Sequence, residues 1–235
     1  MKAKFLRFCA SPLFITFTAA LSPGQASATD IVWGTNLGAG PWIWNDGANW
    51  TGGTAPVVST DRGDLRKDWT AASTINLNAA TIVNGVLSDD TGSATDVGVT
   101  IGNGGTAANT LTLAGTTPAI QASGSTLTTT TVLAGSTAWT KSGAGTYVMN
   151  NAANTITGAI TVSAGVLQIR DGSTNTPTFL TAGALAGSPI TVQTGAVLEL
   201  PRLHASTGTT TTWSMPSISL TDGSRLRFRH STGTN

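Results

Sequence analysis

Two blocks of sequence near the end of the 235-residue chain share one pattern, and this repetition restricts the fold more than any other feature. The block 190–200 recurs at 218–228 with every matched position displaced by 28 residues, and a third copy at 160–169 is one residue shorter after its glycine. Apolar and polar residues alternate on both sides of that glycine. The pattern predicts two short strands with one buried face, joined at a corner where glycine adopts a positive φ without strain.

Fainter copies lie upstream at 80–87, 99–113 and 120–127, so that block starts are spaced by 19 to 40 residues. Strands that recur in this way without helical periodicity predict a coil of about 20 residues that stacks on itself, with loops in the longer intervals. An antiparallel sandwich or barrel also has short strands and many turns, but recurrence at matched positions favours the solenoid.

Stacking in register makes a specific prediction for the last two blocks. Glu199 and Arg227 should lie on neighbouring strands about 4.8 Å apart. They should form an exposed ion pair that contributes less than about 1 kcal/mol. The repeat rhythm is interrupted at 171–177 and 204–216, and we interpret both segments as protrusions from the solenoid wall.

The N-terminal segment 1–28 has the pattern of a secretory signal peptide. Three basic residues precede the apolar stretch 8–21, and a small-residue cleavage site ends at Ala28, which places the mature N-terminus at Thr29. A retained membrane anchor is the alternative. However, the apolar stretch is shorter than the roughly 20 residues needed to span a bilayer, and Ser22, Pro23 and Gly24 interrupt it.

Composition excludes several classes of protein. The single cysteine is Cys9, inside the predicted signal peptide, so the mature chain has no thiol for disulfides, metal binding or catalysis. Three of the 12 basic residues are in that peptide, which leaves nine against 11 acidic residues and a formal charge of −2. This charge argues against a nucleic-acid partner. No later apolar run is long enough to span a membrane.

Tryptophans are concentrated near the start of the mature chain, where five of the seven precede residue 70. Exposed rings could stack on sugars, which makes Trp42, Trp44 and Trp50 candidate glycan contacts. Buried rings would instead close the open end of the solenoid with a large apolar area. Capping is the more economical interpretation.

Motifs for catalysis are weak. His204 and His230 are the available imidazoles, and neither stands in a metal-ligand spacing. The segment 102–107 matches a loose dinucleotide pattern, but a strand follows it where a phosphate-binding helix is required, which favours a turn. Asp89, Asp90 and Asp96 could bind calcium, although such residues are also common in turns.

Two short motifs complete the survey. Arg62, Gly63 and Asp64 form an integrin-type tripeptide within the charged run 61–68, which we interpret as a solvated loop. Asn49 begins a glycosylation sequon. The sequence therefore predicts no catalytic residue, cofactor site or metal site.

The segment 141–169 resembles the autotransporter-associated β-strand repeat. It contains the lysine, the following glycines, a Gly-Thr before a strand, an Asn-Thr-Ile-Thr-Gly turn and the strand pair Thr-Val-Ser-Ala-Gly-Val-Leu. Tyr147 stands where leucine is usual. The segment 44–56 is similar to the tryptophan, Asn-Trp and proline pattern that often opens proteins with these repeats. The resemblance implies a right-handed parallel β-helix at or outside the cell surface, without catalytic residues.

These observations predict an all-β chain in three regions: the signal peptide 1–28, a Trp-rich cap 29–79 and solenoid repeats 80–235, which look truncated at the C-terminal end. The predicted function is a secreted or cell-surface structural or adhesive module that displays loops on a rod. Its partners would be surface glycans or other cell-surface proteins. A carbohydrate-active β-helix enzyme and a lectin-like binding module are the alternatives, because the fold by itself does not exclude them.

Overall fold

The computed structural model describes residues 27–34, 37–92, 96–170, 188–200 and 217–228. Within these ranges the regular secondary structure is β-strand, apart from the short 3₁₀ turn Gly47–Asn49, and there is no α-helix. The described residues also contain no helix long and apolar enough to cross a membrane. Val, Ile, Leu and Thr occupy most strand positions, as expected for residues whose branched or bulky side chains suit a pleated surface.

The strands form three parallel sheets. The first sheet contains, in spatial order, β1 (Thr29–Val32), β3 (Asp61–Lys67), β6 (Gly85–Asp90), β9 (Ala119–Ala122), β12 (Trp139–Ser142), β15 (Ile160–Val162), β17 (Ile190–Val192) and β19 (Ile218–Leu220). The second contains β2 (Trp42–Ile43), β4 (Ser73–Asn76), β7 (Val99–Gly102), β10 (Thr126–Thr129), β13 (Thr146–Asn150), β16 (Val166–Arg170), β18 (Val197–Leu200) and β20 (Arg225–Phe228). The third contains β14 (Thr155–Ile156), β11 (Val132–Gly135), β8 (Thr110–Leu113) and β5 (Thr81–Val83).

From β3 to β16 the chain visits the three sheets in rotation, so that each strand pairs with the corresponding strand one coil later. The described strands of the first coil and of the last three coils lie in the first and second sheets. Ile160 pairs with Ile190, and Ile190 pairs with Ile218, at matched positions of the repeat. This arrangement is a parallel β-helix and confirms the predicted fold class. Glu199 pairs with Arg227 as predicted, with 4.0 Å between the Arg227 guanidinium and the carboxylate. The expectation that the pair is exposed is wrong for Glu199, which is buried.

Alternation within each strand sends one set of side chains into a continuous core. Leu127, Tyr147, Leu167 and Leu198 are in register on consecutive strands of the second sheet, and all are fully buried. Burying each such side chain contributes about 1.5–3 kcal/mol relative to exposure.

The upstream copies at 80–87 and 99–113 were assigned to the wrong corner of the coil. Ile82 lies in the third sheet and Ile101 in the second, whereas Ile160, Ile190 and Ile218 lie in the first. Apolar and polar residues alternate on both sides of a corner in all three sheets. The alternation therefore indicates that a corner is present, but it does not identify the two sheets that the corner joins. The copy at 120–127 is in phase, because β9 and β10 occupy the first and second sheets.

The charged run 61–68 is also different from its prediction. Residues 61–67 form β3, the second strand of the first sheet between β1 and β6, and not a solvated loop. Leu65 faces the core and is fully buried, while Arg62 and Arg66 face outward. Strand pairing therefore begins at Thr29, well before residue 80, and no break in the sheets marks the predicted boundary between cap and repeats.

Candidate functional site

A cluster of four buried tryptophans closes the N-terminal end of the coil. Trp33, Trp44 and Trp69 are fully buried and Trp50 is 3% exposed. Trp50 meets Trp33 and Trp44 edge-to-face, with ring centroids 4.8 and 4.9 Å apart. Such pairs contribute about 0.5–1.5 kcal/mol each beyond their buried area.

The polar atoms of this cluster are satisfied within the chain. Trp44 Nε1 donates to the Pro56 carbonyl at 2.9 Å, and Trp50 Nε1 donates to the Trp44 carbonyl at 2.6 Å. Trp44 and Trp50 therefore present no ring face to solvent. Trp42 differs from them: it is only half-buried, and its Nε1 donates to the Gly38 carbonyl at 3.3 Å.

The segment around the 3₁₀ turn bonds to the C-terminal end of β1 and to the residues directly after it. Thr51 N donates to the Val32 carbonyl and Gly34 N donates to the Asn49 carbonyl, at 2.8 and 2.7 Å. Asn49 is 7% exposed and its Nδ2 donates to the Ile43 carbonyl, which places the sequon asparagine inside the cap. Because a solenoid end needs its edge and core covered, this segment has the geometry of a cap.

Ala28 and Thr29, which flank the predicted cleavage point, lie at the start of the described fold. Thr29 is the first residue of β1, and its amide donates to the Thr60 carbonyl at 2.8 Å. Most of the predicted signal peptide, residues 1–26, lies outside the described residues. Cleavage after Ala28 stays a prediction.

An ion-pair network on the outside of β1 and β3 uses both charged residues of the integrin-type tripeptide. Arg62 pairs with Asp30 at 2.6 Å, and Arg66 contacts Asp30 at 3.4 Å. Arg66 also donates hydrogen bonds from two guanidinium nitrogens to the Asp64 carboxylate, at 2.9 and 2.7 Å. Burial alone would raise the pKa of Asp64, but its hydrogen bonds from the Arg66 side chain and amide outweigh burial and lower that pKa.

Gly63 is held beneath the tryptophan cap. A Cβ atom at this position would approach Trp44 Cζ2 to 2.7 Å and Trp50 Cη2 to 3.1 Å. The tripeptide is therefore an extended, paired strand with its glycine buried and its charges occupied. An integrin-type loop would present these side chains freely, so the motif carries no binding function in this conformation.

The carboxylates considered for calcium bind backbone amides. Asp90 accepts from Trp69 N at 3.2 Å and from Val97 N at 2.9 Å, while Asp89 accepts from Gly124 N at 2.7 Å. Asp96 is exposed. In the part of the chain that the structure describes, no three His, Cys, Asp or Glu side chains come together as a metal site would require.

The loose dinucleotide pattern forms a turn between β7 and β8, as predicted. Asn103 accepts from Gly105 N at 3.0 Å, and Gly104 and Gly105 adopt positive φ values of 60° and 83°. His204 and His230 lie outside the described residues, as do the two predicted protrusions 171–177 and 204–216.

Lys141 is a buried cation that the sequence analysis quoted in a motif without assigning it a role. It occupies an inward position of β12, between Ile120 and Val162 in register, and is fully buried. Its Nζ donates to the carbonyls of Gly143, Gly145 and Ala164 at 2.5, 2.7 and 2.9 Å. Burial lowers the pKa of Lys141 to about 8.

The glycines of two successive corners shape this carbonyl cage. Gly143 and Gly165 adopt positive φ values of 77° and 64°. A Cβ on Gly165 would lie 2.5 Å from the Gly143 oxygen. Only glycine allows both the backbone conformation and the close stacking of the corners. A charged residue at a position reserved for apolar side chains was the signal available in the sequence.

Comparison with known families places this cage within a defined repeat. Residues 140–169 match the family model described as the passenger-associated-transport-repeat. The chain carries a passenger-associated-transport repeat. This repeat spans β12 to β16 and includes Lys141 and both corner glycines. The match confirms the resemblance predicted for 141–169.

The passenger repeat accounts for 30 of the 235 residues. Searches of curated proteins and of solved structures gave no match. A passenger repeat implies export and a passenger-type module, which agrees with the parallel β-helix.

Proposed function

We propose that this chain is an exported structural or adhesive module, in which the β-helix acts as a rod and its long connections present the binding surface. The proposal assigns no catalytic step to the described residues. Partners of this class would be surface glycans or proteins on another cell. The passenger repeat supports export, and the coil architecture supports the display of loops.

The main support for the proposal is that two connections between successive coils are longer than the repeat requires. Residues 151–159 lead from the second sheet back to the first in one coil. The equivalent connections in the next two coils are 171–189 and 201–217, about twice as long. Both leave from adjacent strands, β16 and β18, and rejoin adjacent strands, β17 and β19. Loops positioned by a rigid scaffold are common sites of recognition.

The test exchanges these connections without altering the wall. Each long connection is replaced by a copy of 151–159, singly and together, and binding is measured on a glycan array and on cultured cells with beads that carry the chain. We expect the double exchange to reduce binding at least about tenfold while the circular dichroism spectrum stays β-rich. The control is Thr161→Ala, on the wall of β15.

Two results would count against loop display. Full binding by a folded double-exchange variant would assign adhesion to another surface. Loss of binding in Trp42→Ala, with the loops intact, would instead favour the lectin-like alternative, because Trp42 is the half-buried member of the predicted glycan contacts.

A further inference from the structure

Two asparagines of the chain are followed directly by glycine, a sequence that favours loss of the asparagine side-chain amide. They are Asn84, before Gly85, and Asn103, before Gly104. In this reaction the backbone nitrogen of the glycine attacks the side-chain carbonyl carbon, and a glycine has no Cβ to hinder the approach. The fold places the two pairs in opposite environments.

Asn103 lies in the turn between β7 and β8. Its Oδ1 accepts from Gly105 N at 3.0 Å, a bond that draws electron density from Cγ and folds the side chain over the peptide that follows. Gly104 is exposed and has a φ of 60°. Within the described residues, neither Gly104 N nor Asn103 Nδ2 makes a hydrogen bond. The attacking nitrogen and the leaving amide are therefore both unrestrained.

Asn84 is held by contacts that oppose the same reaction. It is only 4% exposed, and its Nδ2 donates to the carbonyls of Ala114 and Thr116 at 3.4 and 2.9 Å. Gly85 belongs to β6 and pairs with Ala119 of the next coil, so close that a Cβ would lie 2.1 Å from the Ala119 oxygen. To reach Asn84 Cγ, the nitrogen of Gly85 would have to leave this strand pairing.

Asn151 separates the effect of the turn from the effect of the glycine. Its Oδ1 accepts from Ala153 N at 2.8 Å, in the same kind of turn as that of Asn103, but the next residue is Ala152. Its Nδ2 also donates to the Thr130 carbonyl at 2.9 Å. The chain thus contains its own control, with a similar turn but without an exposed glycine nitrogen.

We propose that Asn103 is a site of spontaneous covalent modification, at which the side-chain amide is lost and an isoaspartyl bond to Gly104 forms. Hydroxide takes the proton of Gly104 N, which then forms a bond to Asn103 Cγ. The bond from Cγ to Nδ2 breaks, and the amide leaves as ammonia by taking a proton from water, which regenerates the hydroxide. A water molecule then opens the cyclic imide. Addition at Cγ gives aspartate, whereas addition at the α-carbonyl carbon gives isoaspartate.

The isoaspartyl product alters a corner that links neighbouring coils. The Asn103 carbonyl accepts from Thr106 N and from Asn109 Nδ2, both at 3.0 Å. In isoaspartate this carbonyl becomes part of a carboxylate outside the main chain, and the main chain is longer by a methylene group. Asn109 Nδ2 also donates to the Leu77 carbonyl of the previous coil. The modification therefore acts on a side chain that joins two coils.

The test follows the three asparagines in the unmodified chain, so that no variant has to fold. The chain is incubated at neutral and at mildly alkaline pH, and each site is read at intervals by mass spectrometry with fragmentation that separates isoaspartate from aspartate. We expect Asn103 to convert at least about tenfold faster than Asn84 and Asn151, and its rate to rise with pH. In urea the rates at Asn103 and Asn84 should differ by less than about threefold, because the fold no longer restrains Asn84.

The effect on the corner is measured in chains aged until most of Asn103 has converted. The amide of Thr106 should exchange at least about tenfold faster than in Asn103→Gln aged in parallel, because the longer glutamine side chain closes the ring much more slowly.

Three results would overturn the proposal. The first is conversion of Asn103 in the folded chain that is no faster than that of Asn84 and Asn151. The second is an equally strong preference for Asn103 in urea, because the local sequence and not the turn would then cause it. The third is unchanged exchange of Thr106 after conversion, which would remove the effect on the corner.

Discussion

Lys141 shows how one side chain can bind several backbone carbonyls at once, of which that of Gly145 also accepts from Val166 N at 3.2 Å. The corners of two successive coils direct the carbonyls of Gly143, Gly145 and Ala164 toward the interior. Buried carbonyls without donors are costly, and an ammonium group supplies three donors at once. The cost of burying that charge is visible in the pKa of Lys141, which falls to about 8.

The titration of Lys141 leads to a prediction of pH-dependent stability. The folded chain releases this proton near pH 8, whereas the unfolded chain holds it to about pH 10.4. Between these values the unfolded state binds more protons, so the free energy of unfolding should rise with pH. Relative to Lys141→Met, the wild type should gain stability across this window, by at most about 3 kcal/mol. Urea denaturation at pH 7 to 10 measures the difference.

The control for this titration is Thr140→Met, one residue away with its side chain outside the coil. It retains Lys141 and should keep the slope of the wild type. The prediction is contradicted if the free energy of unfolding of the wild type does not rise relative to that of Lys141→Met between pH 8 and 10. The carbonyl cage would then stabilise the charged ammonium as well as water does in the unfolded chain.

Gly63 gives a steric prediction at the same scale. In Gly63→Ala the new methyl would lie 2.7 Å from Trp44 Cζ2, in the ring of a fully buried tryptophan. We expect a loss of about 1–3 kcal/mol, typical of overpacking. Gly38→Ala is the control, because its Cβ meets nothing within 4 Å. Equal unfolding midpoints for the two variants would contradict a tightly packed cap.

At the scale of elements, side chains at corners hold neighbouring coils together. Asp90 is the last residue of β6, and it accepts hydrogen bonds from the amides of Trp69 and Val97 in two different connections. Asn109 serves a similar role, since its Nδ2 donates to the carbonyls of Leu77 and Asn103 at 2.8 and 3.0 Å. Corners of this kind are specified by polar side chains as much as by glycine.

Replacing Asp90 by alanine should leave the amides of Trp69 and Val97 without these acceptors. Each unsatisfied buried group costs about 1–3 kcal/mol, so we expect a loss of about 2–4 kcal/mol in chemical denaturation. The exposed Asp96→Ala serves as the control. Added calcium should leave the melting temperature unchanged, because both Asp90 oxygens already accept amide hydrogen bonds. A calcium-dependent rise would restore the metal-site interpretation.

Elements differ in how well the sequence predicts them. Blocks 190–200 and 218–228 were predictable to the level of single contacts, because identical spacing forces Glu199 beside Arg227. The sheets to which the copy at 80–87 belongs were not predictable, because every corner of a three-sided coil shows the same alternation. β3 was missed because its outward residues are charged, and their partner Asp30 belongs to the previous coil.

Lys141 was equally hard to interpret from sequence alone. Alternation from Trp139 assigns it an inward position, but nothing local reveals that carbonyls from two corners meet there. Partners separated by a whole coil become neighbours only after the coil length is known. The sequence therefore predicts strands and corners well, and the contacts between coils poorly.

At the scale of the whole molecule, a stack of coils is nearly one-dimensional. Each coil contacts the coils before and after it, so stability is the sum of local terms and interfaces between neighbours. The two ends of this stack differ. The first coil is closed by four buried tryptophans, whereas the last described coil exposes Leu220 and Phe228.

This difference predicts that a defect in a late coil will not spread to the cap. Leu198→Ala should cost about 2–5 kcal/mol locally. It should speed amide exchange in β17 to β20, yet leave the fluorescence transition of the Trp33, Trp44, Trp50 and Trp69 cluster within about 0.5 kcal/mol of the wild type. Leu65→Ala is the matched control. Leu65 accepts a hydrogen bond from Trp69 Nε1 and is fully buried, so its truncation should shift that fluorescence transition directly. An equal shift of the fluorescence transition in both variants would mean that all coils unfold as one cooperative unit, and that the cap depends on the far end of the rod.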